Sequence, residues 1–212
     1  GSMFDEAGQQ RSTSGYSMTT TGSFAASLMV LVAAVMKADD KVMKSELNYV
    51  KQYFVQNFGQ ESAAEAIRML KDLLKQNIPV KEVCHQIRDN MDYSSRLQLL
   101  HFLFGVANAD GRIPESELRT IERIAGELGI SSKDVNSIKS MFIEDTDYAY
   151  KILEVEPSAS DQDIKKAYRK MANKYHPDKV SHLGEDFQEV ANQKFQKVND
   201  AYEKIKKERN MN

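Results

Sequence analysis

The sequence predicts an all-α fold, and three observations carry that expectation. Apolar residues recur at helical spacing along most of the chain, and no run alternates with the period of two that a half-buried strand needs. The ten residues Ala38 to Leu47 also return as Ala109 to Leu118, a fixed offset of 71. In each copy an apolar helix precedes the motif and an amphipathic one follows. The expectation is about seven helices, as two related helix pairs plus connectors, packed about a pseudo-twofold axis that buries both apolar helices centrally.

The elements follow in order. Gly1-Ser2 ahead of Met3 reads as a cloning remnant, and residues 1–22, rich in Ser, Thr, Gly and Gln, read as a flexible segment. Phe24 to Met36 is nearly all apolar, but its thirteen residues fall short of the roughly twenty that span a bilayer, so it reads as a core helix. Glu61 to Gln76 is helical, Pro79 opens a short helix ending near Asn90, and Arg96 to Asn108 is the second apolar helix. Pro114 suits a helix N1 position, Gly129 a C′ position, and Ser131 with Asp134 a capping box. These elements form a first domain, 23–144. A short segment near Glu144 to Thr146 leads to a second, 146–212.

The second domain contains the most informative stretch. From Asp161 to Tyr175, Ile164, Ala167, Tyr168, Met171, Ala172 and Tyr175 make one apolar stripe. Lys165, Lys166, Arg169, Lys170 and Lys174 lie opposite, and Asp161 and Asp163 occupy the first turn, where the helix dipole favours anions. Pro177 then stops the helix, because it lacks an N–H and pushes the preceding residue out of the α region. The result is a cationic cylinder ending in the rigid turn His176-Pro177-Asp178. The positive charge is arranged, not abundant: residues 146–212 carry a net +1 and the rest −3. A nucleic-acid partner would bring a domain-wide basic excess, so none is expected.

This stretch resembles the J-domain of DnaJ-type co-chaperones. The likeness runs from Tyr148 to about Lys207, through Ala149 to Val155, Ala159-Ser160-Asp161, Ile164 to Lys170, and Lys174-Tyr175-His176-Pro177-Asp178-Lys179. It closes with Phe195, Val198, Ala201 and Tyr202 on a third helix. Glu154 stands where the family often has glycine, which alters a helix end, and Gln196 where lysine is common. The resemblance implies a helical hairpin that docks on a DnaK-class heat-shock chaperone and stimulates its ATP hydrolysis. Lys165, Arg169 and Lys170 would hold an acidic surface of that partner, with Tyr168 partly at the face. His176, Pro177 and Asp178 would engage it where nucleotide state is coupled to substrate clamping.

The repeat resembles the TerB domain, an all-helical unit named for tellurite resistance, and TerB followed by a J-domain is the layout of DjlA-type membrane-anchored co-chaperones. In that family a membrane helix precedes the TerB-like part. Met3 to Ala7 looks like the stretch after such a helix, implying an anchor and a place at the cytoplasmic face of the inner membrane. The alternative function is a metal- or stress-responsive binding protein whose J-domain is an accessory.

Asp39, Asp40, Glu46, Asp110 and Glu117 would converge if the copies pack symmetrically, and oxygen ligands suit Ca²⁺ or Mg²⁺. The plainer reading has the aspartates capping the following helices and the glutamates stabilising their first turns. The spacing fails the twelve-residue EF-hand loop. Cys84-His85 cannot form a dyad, since neighbours on a helix do not face each other, and the single cysteine rules out an internal disulfide. His101, in an apolar helix, reads as a satisfied core histidine, and Met29, Met36, Met69 and Met141 as core filling. No phosphate-cradling glycine loop and no catalytic constellation is present, so neither ATP binding nor an enzyme is expected.

Overall fold

The computed structural model describes residues 21–39 and 41–212 and is helical throughout, with no strand among them. The expected flexible segment, save its last two residues, lies outside the described residues. Helices α1 (Thr21–Met36), α2 (Lys44–Leu74), α3 (Val80–Asn90), α4 (Tyr93–Ala107), α5 (Glu115–Glu127) and α6 (Ser132–Ser140) make the first part. Helices α7 (Tyr148–Ile152), α8 (Asp161–Lys174) and α9 (Gln188–Arg209) make the second, with 3₁₀ turns at Pro177–Leu183 and Glu185–Phe187 between the last two.

The sequence expectation of separate helices before and after Gly59 is met by one long element with a break. Gly59 sits at φ 85°, ψ 170°, a conformation that only glycine adopts without strain, and it divides α2 into two pieces at a kink. Pro114 is the N-cap of α5, one position before the expected N1. Ser131 does cap α6, accepting the Asp134 N–H on its Oγ. The Asp134 carboxylate does not reach back to complete the box. It turns to Tyr93 and Lys174 instead.

Helix α4 is the centre of the molecule. Twelve of its fifteen residues are buried, as a helix apolar on every side must be. It is covered by α1, whose Phe24, Leu28, Leu31, Val32, Val35 and Met36 are fully buried, and by α2, α5 and α6. No described helix is long and apolar enough to cross a membrane. Met69 departs from the core-filling expectation: at 41% exposure it lies on the surface of α2.

The second part is a hairpin of α8 and α9 closed by α7. Ile164 and Met171 of α8, Tyr175 just past its end, and Val198, Ala201 and Ile205 of α9 are all buried in this hairpin. Tyr168 stacks flat on Tyr202, centroids 4.2 Å apart, and donates its hydroxyl to Asn199. At the open end Arg209 donates to the Ala159 and Pro157 carbonyls and pairs with Asp161 at 2.9 Å, tying the C-terminus to the start of α8.

The two parts share a core. Tyr175 donates to Ser137 in α6, which donates in turn to the Ile152 carbonyl of α7. Phe187, 1% exposed, places its ring 4.6 Å from Phe24, 5.8 Å from Phe58 and 6.0 Å from Tyr53, all in the first part.

Candidate functional site

The turn at the end of α8 is built by local chemistry. Ser160 caps the helix through the Asp163 N–H, and the helix ends at Tyr175. His176 is the N-cap of the following 3₁₀ turn, and Pro177 takes its first position. The imidazole Nδ1 accepts the Asp178 N–H at 3.2 Å, and the ring stands edge-on to Phe195 of α9 at 5.4 Å. That bond fixes the ring, while 47% of the His176 side chain and 89% of the Asp178 side chain remain exposed. Asp178 is thus a charge on a stiff base, with most of its surface open to another molecule.

The expected basic face divides in two. Arg169 and Lys170 are exposed and Lys165 half-buried, and none of them is in an ion pair among the described residues. Cations without partners on one helix face form an electropositive surface beside the turn. Tyr168 is half-buried, and its hydroxyl is already committed to α9, so it braces the hairpin as well as bordering the face. Lys174 does not belong to the face. It points back across the junction to pair with Asp134 of α6 at 2.7 Å and with Glu154 at 3.4 Å.

Glu154 was legible as an oddity, and its environment explains it. The residue sits at φ 57° just past the end of α7, in the left-handed region that favours glycine. There its carboxyl meets Lys174 and Asp134. Burial and the neighbouring aspartate push it up to about 7. Burial also acts on Asp134, but the hydrogen bonds from Glu154, Lys174 and Tyr93 prevail and hold it near 2. Asp134 is therefore the ionised partner of Lys174 at neutral pH, and Glu154 carries a proton part of the time. Lys194, buried against the Tyr175 ring, is depressed to about 7 by desolvation and has no marker in the sequence.

In the repeat, the structure brings two of the five acidic candidates face to face. Glu46 and Glu117 are 3% and 0% exposed, and burial raises them to about 7 and about 8, each pushed further by nearby carboxylates. Both occupy the third position of their helices. Glu46 accepts the Met43 N–H at 3.3 Å. The residue equivalent to Met43 is Pro114, which has no N–H to give, so both Glu117 oxygens lack a donor apart from the opposing carboxyl. Asp39 and Asp110 bond the backbone N–H two residues on, at Lys41 and Arg112, closing turns before the helices instead of capping them. Asp40 lies outside the described residues. No group of three or more His, Cys, Asp or Glu among the described residues is disposed to hold a metal ion.

The remaining candidates resolve simply. Cys84 is buried, its thiol pushed up to about 12, and His85 bonds Glu127 at 2.7 Å instead. His101 is a core histidine held neutral, driven down to about 3 by burial and by Lys194 and Lys197. It is not fully satisfied, because Nδ1 has no partner.

Comparison with known proteins adds the following. The family described as tellurite resistance protein TerB matches residues 25–140, and the DnaJ domain matches residues 148–211. The chain is 28% identical over 200 residues to co-chaperone protein DjlA of Coxiella burnetii, covering 84% of this chain and 74% of that one. It is 28% identical over 223 residues to co-chaperone protein DjlA of Vibrio cholerae, covering 88% and 78%. Chaperone protein DnaJ of Fusobacterium nucleatum is 49% identical over 54 residues, 26% of this chain and 14% of that one. No solved structure matches.

Proposed function

This chain belongs to the TerB family and carries a DnaJ domain behind its TerB region, and from that premise we infer that it is a J-domain co-chaperone that stimulates ATP hydrolysis by a DnaK-class chaperone. One observation carries the reading: an exposed Asp178 stands on a His176-anchored turn beside a helix face whose Lys165, Arg169 and Lys170 have no ion-pair partner among the described residues. Lys165, Arg169 and Lys170 attract and orient an acidic surface, and His176-Pro177-Asp178 is the rigid probe that follows. Charge-led docking of this kind speeds encounter and leaves the complex short-lived. The chain itself supplies no catalytic step in this reading. Steady-state ATPase of a purified DnaK-class chaperone is expected to rise several-fold with this protein. Asp178→Asn is expected to abolish the rise while leaving the melting temperature unchanged, because the side chain is mostly in solvent. Absence of stimulation by the wild type would sink the reading.

Two finer points belong to the same proposal. Placement at the cytoplasmic membrane face rests on likeness to DjlA-type proteins and is tested by fractionating the native protein. Binding of Ca²⁺ or Mg²⁺ by Asp39, Asp40, Glu46, Asp110 and Glu117 rests on the meeting of Glu46 and Glu117, whose protons a hard cation would displace. Calorimetry should then show binding heat with proton release, lost in Asp110→Ala. A flat titration with both cations would rule it out.

A further inference from the structure

The segment after the His-Pro-Asp turn is held by the first domain, not by its own hairpin alone. Val180, Leu183 and Phe187 are 2%, 0% and 1% exposed. The 3₁₀ turn that carries Val180 and Leu183 lies on α4 and α1, and the one ending at Phe187 lies on α2. The Phe187 ring completes an aromatic cluster whose other members, Phe24, Tyr53, Phe58 and Phe102, all belong to the TerB region. At the other end of the loop, His182 Nε2 lies 2.9 Å from Ser95 Oγ and 3.0 Å from Asp92 Oδ2. Asp92 is the N-cap of α4, the central helix, and Ser95 is in its first turn. A ring in a pocket and a polar bond to a helix start give two attachment points, five residues apart, on the buried core of the first part.

We propose that the TerB region is a receptor for the loop at residues 180–187 and that this latch orients the His-Pro-Asp turn for chaperone activation. The inference rests on the co-chaperone reading above and deepens it. The latch does not cover the site: Asp178, Arg169 and Lys170 face solvent while the loop is seated. Its effect is therefore to position, not to block. Only Lys179 separates Asp178 from Val180, the first latched apolar side chain, so freedom in the loop passes directly to the turn. Docking strength and turn geometry become separable quantities. The basic face sets how much protein is needed for half-maximal stimulation, and the latch sets how large the maximum is, since small misplacements of a reacting group cost large factors in rate.

The test uses the full chain and a purified DnaK-class chaperone. Hydrogen exchange of the wild type should show amides 180–187 protected with those of α4. Phe187→Ala and His182→Ala should each speed that exchange and cut the maximal rise in ATPase by more than about half, with the half-saturating concentration within about twofold of wild type. His182→Gln, which can still donate to Asp92, should restore most of the loss. Lys170→Ala should do the opposite, raising the half-saturating concentration and sparing the maximum. If Phe187→Ala proves too unstable, Phe187→Leu and His182→Ala carry the test, since His182 sits at the partly exposed end. A loop that exchanges freely in the wild type, or loosened variants that stimulate as the wild type does, would overturn the latch while leaving the co-chaperone reading intact. No stimulation by the wild type would overturn both.

Discussion

Glu117→Gln is expected to stabilise the protein at pH 8 by about 3 kcal/mol and to flatten its dependence on pH. Two buried carboxyls meet, and Glu117 has no other hydrogen-bond partner. Both charges together would be costly in that setting, so the folded state retains a proton that the unfolded state gives up near pH 4.5. A carboxyl raised to about 8 in the folded state is unpenalised below its unfolded value. Its stability contribution is then lost as pH rises from about 4.5 through 8. Glutamine keeps the shape, cannot ionise, and donates its amide to Glu46. Chemical denaturation from pH 5 to pH 9 should show the wild type falling steeply and the variant much less. The exposed neighbour Glu115→Gln should follow the wild type. Parallel wild-type and Glu117→Gln curves would refute the shared proton.

Asp134→Ala is expected to cost about 3 kcal/mol and to loosen both domains together. Its carboxylate accepts from Tyr93 and Lys174 and is 2% exposed, so removing it leaves the phenol with only its Ser131 contacts and a half-buried ammonium facing only Glu154. Breaking a buried pair from one side is the costly way to lose it. Glu154, freed of its acidic neighbour, ionises more readily and recovers part of the loss. The signature is in the double-mutant cycle. Asp134 is in α6 and Lys174 in α8, so coupling of at least about 1 kcal/mol with Lys174→Met would show the two regions unfolding as one unit. The acid limb fits as well: a carboxyl held near 2 stabilises above the ordinary aspartate range, and that contribution disappears as pH falls through 2. Additive single-mutant effects would argue for two independent domains.

These features differ in how far the sequence foretold them, and the difference is physical. Helix periods and the Ser131 cap are short-range matters, decided within one turn of chain, and they were readable; the Gly59 break is just as local but was not read. The exposed His-Pro-Asp turn was readable too, because proline and the caps on either side leave it little choice. The meeting of Glu46 and Glu117 was foreseeable only through the 71-residue offset, which pairs positions without giving their distance. Lys174 misled because helical spacing assigns a face but not a neighbour: it lies on the cationic stripe, yet α6 presents a deeper charge to it. Phe187 and Lys194 had no sequence marker at all, and Asp134 was marked only as a capping-box partner of Ser131. Their roles come from the packing of α9 and the 3₁₀ turns on α4, α2 and α6, and long-range packing leaves no local period. Glu154 was half-legible: a residue in a glycine's place announces strain, but only the fold says what the side chain gains from it.

The Phe187 ring has a practical consequence for anyone dividing the chain. A cut between 140 and 148, where the two family matches part, runs through a shared aromatic cluster. The N-terminal fragment would keep Phe24, Tyr53 and Phe58 around a vacated, wettable hollow, an apolar patch of the sort that drives fragments to associate. The C-terminal fragment would carry a stray phenylalanine on an unanchored loop. Grafting another J-domain onto this TerB region would meet the same difficulty unless the graft brought its own plug.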